Sequence, residues 1–134
     1  MNQAYDRPFR PTELTASTVT SFALPDMAYQ LMLEEAFLHA GRNALTLARG
    51  DDLTVVLMVL KAQSELHEHK APGPITVTAL FGYLEFQAAT QSEPLALQAG
   101  DAAVCGAHLA HRVKALEDSA FLLVMGGRAS CGEP

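Results

Sequence analysis

The chain has 134 residues, of which 49% are hydrophobic, and a formal net charge of −6. That length suits a single domain, and that hydrophobic content is enough for a core and too high for a disordered chain. Lys and Arg are scattered along an acidic chain, so a nucleic-acid partner, which needs a clustered basic patch, is not expected. The opening Met1–Asp6 is polar and acidic, unlike a secretory leader. The longest apolar run, Val55 to Leu60, is far too short to cross a bilayer, so no membrane partner is expected. Cys105 lies in an apolar run and Cys131 in a Gly-rich tail, which argues against a disulfide framework and for the cytoplasm.

In chain order, Pro8, Pro11 and the Thr/Ser-rich stretch Thr12–Ser21 read as a loose arm with at most one strand. Pro25-Asp26 then opens a stretch of helix formers, Met27 to His39, with Leu31, Glu34, Glu35 and Leu38 at helical spacing and Gly41 as the stop. From Ala44 the texture changes. Short apolar runs (Ala44–Ala48, Leu53–Leu60, Ile75–Leu80, Tyr83–Phe86, Leu95–Leu97, Ala102–Cys105, Val113–Leu116, Phe121–Met125) alternate with turn signals such as Gly50-Asp51-Asp52 and Pro72-Gly73-Pro74. Many short strands at this spacing indicate an all-β sandwich or barrel. The expected organisation is an N-terminal arm and helix over residues 1–43 packing on a barrel of residues 44–127, with a flexible tail at 128–134.

Leu53–Leu60 does not alternate, which predicts a strand buried on both faces. One face lines the barrel. The other needs a cover, either the Met27–His39 helix or a second subunit, and a homodimer is expected on this ground.

The chemistry-bearing feature is His67-Glu68-His69. If Ser64–Lys70 is extended, side chains two apart share a face and the two imidazoles form a pincer. His111 opens a later strand-like stretch, His111–Ala115, and supplies a third nitrogen if brought alongside. Three imidazoles suit zinc, iron, copper or nickel; the plainer reading is three unrelated histidines. Glu65 shares the parity of His67 and His69 and is either an acceptor for an imidazole N–H or an exposed residue. Gln63, of the same parity, is a weaker oxygen donor. His108 belongs to a turn at the barrel mouth, where it contacts substrate or is solvated. Glu68 points away from the histidines, His39 has no site role, and Cys105 reads as a small core residue. The chain has no Gly-x-Ser-x-Gly elbow and no phosphate-cradling loop.

These residues resemble the two motifs of the cupins, over about Leu53 to Met125. The family's second motif is Gly, five residues, Pro-x-Gly, two residues, His, three residues, Asn. Here Gly100 is followed by Asp101–Cys105, Gly106-Ala107-His108 stands for Pro-x-Gly, and His111 and Ala115 fall at the His and Asn positions. In the first motif His67-Glu68-His69 is the His-x-His and Gly82 the closing Gly, while Lys61 replaces the opening Gly. The family's Glu ligand falls on Ile75, which cannot bind metal. The resemblance implies a jelly-roll double-stranded β-helix with an N-terminal helix. It carries the metal ligands onto His67, His69 and His111, for a divalent transition metal (Zn, Fe, Ni or Mn), with a small-molecule ligand in the barrel. Its alternatives are an iron-dependent dioxygenase-type enzyme and a metal-free ligand-binding cupin. A fused DNA-binding domain is not expected, because residues 1–43 offer one helix and no basic face.

Overall fold

The computed structural model of the protein describes residues 9–127. The expectations for residues 1–8, and for the tail at 128–134 with Cys131, lie outside the described residues.

The chain runs β1 (Thr12–Glu13), α1 (Leu24–Met32), α2 (Glu35–Ala40), β2 (Arg42–Arg49), β3 (Leu53–Leu60), β4 (Glu65–His69), β5 (Ile75–Phe81), β6 (Tyr83–Ala88), β7 (Leu95–Gln98), β8 (Ala102–Cys105), β9 (His111–Ala115) and β10 (Ser119–Gly126). A six-stranded sheet in the order β1-β2-β3-β10-β5-β8 faces a four-stranded sheet in the order β4-β9-β6-β7. Every pairing is antiparallel except β1 on β2. This is the expected all-β double sheet, and β3 and β8 have the bounds read from the sequence.

The expected single helix over Met27–His39 is two helices. Pro25 sits in the first turn of α1 and Asp26 adds a favourable charge there. The chain then leaves the helical region at Glu34, whose ψ is 157°. Asn43 of β2 accounts for the break: its amide donates to the Leu31 carbonyl (3.0 Å) and to Glu34 Oε1 (2.9 Å), holding the end of α1 and the start of α2 against the sheet. No Pro or Gly marks the break, so periodicity alone reads straight through it. α2 ends as expected at Gly41, which takes the left-handed conformation (φ 82°).

Two apolar layers follow from strand alternation. Between the sheets lie Leu60, Ile75, Val77, Leu84, Phe86, Cys105, Val113 and Phe121. On the other side of the six-stranded sheet, Leu47, Leu57, Val59 and Ala120 pack with Ala28, Leu31 and Phe37 of the helices. β3 serves both layers, with Met58 and Leu60 turned to the barrel and Leu57 and Val59 to the helices. Its unbroken hydrophobicity is thereby explained, since each such side chain removed from water contributes roughly 1.5–3 kcal/mol. The cover over Leu57 and Val59 belongs to this chain itself.

Candidate functional site

β9 alternates His111, Val113 and Ala115 inward, all buried, with Arg112 and Lys114 outward. Its neighbour β6 turns Leu84, Phe86 and Ala88 inward, and Ala88 lies opposite His111. On the other flank, the edge strand β4 pairs Glu65 with Lys114 and Leu66 with Val113, but then His69 with His111. Two residues, His67 and Glu68, therefore face the single Arg112, which is a β-bulge. Its consequence is chemical. Regular alternation from the core-facing Leu66 would send Glu68 inward and both His67 and His69 outward. The extra residue resets the parity and puts His69 across from His111.

The two imidazoles meet edge to face with ring centroids 4.4 Å apart, and the His111 ring stacks on Phe86 at 5.5 Å. His69 Nδ1 lies 2.9 Å from the His67 carbonyl oxygen, and His111 Nδ1 lies 2.9 Å from the Leu109 carbonyl oxygen. A carbonyl only accepts, so each Nδ1 carries a proton, and in the neutral ring Nε2 is then the nitrogen with the lone pair. Orientation of an imidazole by a backbone carbonyl is the support that a metal-ligating histidine needs. The Cys105 thiol approaches His111 Nδ1 at 4.0 Å and the Leu109 carbonyl at 3.9 Å. Burial pushes this thiol above its ordinary value, so it stays protonated at neutral pH, as a core residue does.

The other sequence-derived residues divide clearly. Ile75 is buried on the inner face, in register with Cys105 on β8 and Met125 on β10, and so stands at the same end of the barrel as His111. His67 is exposed in the bulge. Glu65 does not share the face of His69 as parity had implied, because the bulge intervenes; it lies on the outer side opposite Lys114. Gln63 is left-handed (φ 73°) and donates its backbone N–H to the Ala115 carbonyl, at the end of β9 remote from His111. His108 is an exposed turn residue (φ 64°) whose backbone N–H reaches the Ala71 carbonyl at 2.8 Å. His39 pairs with Glu35 (2.7 Å) on the outside of α2.

The structure thus brings together His69 and His111, beside Cys105, Phe86 and the inward Ile75, and does not bring His67 to them. Among the described residues no three His, Cys, Asp or Glu side chains form a group that could hold a metal ion. The residues present fit two positions of a coordination sphere, with the remainder left to His67, through a rearranged bulge, or to exogenous ligands. Sequence reasoning missed the two groups that orient the imidazoles, the carbonyls of His67 and Leu109; backbone atoms leave no residue-type signal.

No family model and no curated protein matches the sequence. Solved structures do match. The chain is similar to a cupin superfamily protein of Desulfitobacterium hafniense, at 16% identity over 63% of this chain and 76% of that one, with a TM-score of 0.60. It is similar to an RmlC-like cupin of Methanocaldococcus jannaschii with a double-stranded β-helix fold, at 12% identity over 67% and 84% of the two chains (TM-score 0.62). A conserved Streptococcus pyogenes protein of unknown function matches over 90% of this chain and 97% of its own, at 22% identity (TM-score 0.65).

Proposed function

We propose that this chain, a cupin in fold, is a small-ligand-binding module that takes a divalent transition metal at its barrel mouth, between Nε2 of His69 and Nε2 of His111. The observation that carries the reading is the pair of Nδ1–carbonyl hydrogen bonds, which leaves two lone pairs free on touching rings. Such a metal supplies Lewis acidity and open positions for an exogenous ligand. The protein's part is to orient the two imidazoles and to offer that ligand an apolar wall from Leu66, Ile75, Leu109 and Met125. A dioxygenase-type reaction additionally rests on His67 joining the pair. The metal-free reading is favoured by Ile75 at the carboxylate position. We also propose a homodimer, using what the helices leave uncovered on the six-stranded sheet.

The deciding experiment is elemental analysis and calorimetric titration with Zn²⁺ or Co²⁺ on protein purified without a metal-affinity tag. About one equivalent per chain is expected, weakening on acidification because protons compete for the same lone pairs. His69→Ala and His111→Ala are each expected to lose most of it, while His67→Ala loses most only if the bulge rearranges to bring that ring in. Stoichiometric metal in the His69→Ala/His111→Ala double variant would falsify the site.

A further inference from the structure

We propose that the outer face of the four-stranded sheet, opposite the histidine pair, carries a separate binding site for a small zwitterion with a carboxylate at one end and an ammonium group at the other. A cavity of about 340 Å³ opens there, lined by Glu65, Glu85, Gln87, Pro94, Arg112 and Lys114. That is within the usual size of small-ligand sites, roughly 300–1,000 Å³. A shallower lobe of about 160 Å³ continues from it, sharing Gln87 and Arg112 and rimmed by Glu68.

The charges in the main cavity are balanced, two carboxylates against one guanidinium and one ammonium. They are not spent on one another. Lys114 lies in register between Glu65 and Glu85, yet none of these three side chains, nor Arg112, forms an ion pair among the described residues. Arg112 is held in place by neutral groups. Its Nη2 donates to Gln87 Oε1 (3.0 Å), Gln87 Nε2 donates to the Gln91 carbonyl (3.2 Å), and Gln91 Oε1 accepts the Ala88 backbone N–H (3.1 Å). This relay uses one of five guanidinium donors and leaves a fork able to grip a carboxylate in two parallel hydrogen bonds.

The layout selects the ligand. A plain anion meets Glu65 and Glu85 as well as Arg112; a plain cation meets Arg112 and Lys114. A net-neutral zwitterion satisfies both ends, its carboxylate on Arg112 and its ammonium sharing with that of Lys114 the two carboxylates of Glu65 and Glu85, so that two positive groups meet two negative ones. Two residues of strand separate the two ends, about 6.5–7 Å, which matches a short ω-amino acid better than an α-amino acid.

The test is a ¹⁵N NMR titration of the whole chain with γ-aminobutyrate, beside butyrate and butylamine, to about 10 mM. Saturable shifts confined to the outer-facing residues of β4, β6 and β9 are expected for γ-aminobutyrate. Arg112→Gln and Glu85→Gln, both surface changes, should each weaken binding at least about fivefold without altering the melting temperature. Equal responses to butyrate, insensitivity to Glu85→Gln, shifts centred on His69 and His111, or no shifts at all would each overturn the proposal. If one variant fails to fold, the other and the ligand series still decide.

Discussion

Ile75 is the residue on which the metal reading turns. It occupies the position that the cupin resemblance reserves for a carboxylate, and the structure places it on the inner face at the histidine end. Ile75→Glu should therefore destabilise the metal-free fold, because an uncompensated carboxylate is costly in an apolar layer and the isoleucine's own burial is lost. Added Zn²⁺ should raise the melting temperature of the variant by more than it raises the parent's, as an anionic oxygen joins two neutral nitrogens around a cation. Unchanged stability and unchanged metal response would show that position 75 does not face the site.

Two further residues give stability predictions of defined sign. Ser119 is fully buried; its Oγ accepts the Tyr83 backbone N–H (2.9 Å) and its hydroxyl donates to the Glu117 carbonyl (2.7 Å). It sits under the tight β5–β6 turn, where Gly82 has φ 92° and a Cβ would run into Asp118 and Ser119. Ser119→Ala orphans the Tyr83 donor and should cost about 1–3 kcal/mol in denaturant unfolding. The Cys105 thiol, raised by burial, gives a pH dependence. As pH climbs past the ordinary thiol value of about 8.5, the unfolded chain ionises before the folded one, so the unfolded state holds fewer protons and stability falls. Cys105→Ala should remove that alkaline decline, read as a flatter stability curve against pH.

At the scale of elements, the bulge in β4 decides what the His-x-His motif can do. It turns His69 to the barrel and leaves His67 in the exposed kink of an edge strand. Deleting Glu68 leaves His67 opposite Arg112 and His69 opposite His111, a regular ladder with the inward set preserved. That deletion should cost little, about 1 kcal/mol or less by thermal or denaturant melting, in line with surface changes away from the core. Deleting Glu85 from β6, which pairs with β7 and β9 without a shift of register, has no bulge to absorb it. It inverts either Leu84 or Phe86 and Ala88, all buried, and should unfold the chain. Equal tolerance of the two deletions would show that β4 carries no bulge.

For the molecule as a whole, the packing leaves one side of the six-stranded sheet partly bare. Helices α1 and α2 cover β2 and β3. The edge strand β8 is not covered, and Val104 on its outer side is 77% exposed. A second copy seated there would bury it together with the half-buried Thr76, Thr78 and Val124. Light scattering should then report about twice the 14.4 kDa chain mass, and Val104→Lys should halve it. A parent protein that scatters as a monomer would mean that the chain's own helices suffice. No helix among the described residues is long and apolar enough to cross a membrane.

Much of this architecture was legible in the residues. Apolar runs and Gly/Pro punctuation located the strands because alternation and turn chemistry are local, and Gly41 ended the second helix for the same reason. The motif spacing identified the fold, and His111 and Ile75 fell on inward positions because β9 and the stretch of β5 from Ile75 to Ala79 alternate regularly, so their parity can be counted. Three features could not be counted. The helix breaks at Glu34 because Asn43, from the next strand, bonds both sides of the break. His69 and Glu65 part company because pairing with β9 inserts a bulge, and one unpaired residue inverts every assignment beyond it. The imidazoles take their tautomers from the carbonyls of His67 and Leu109, and a carbonyl is common to every residue. Side-chain identity and period are written along the chain, whereas a partner across a sheet, a shift of register and the choice of backbone acceptor arise only when distant segments pack.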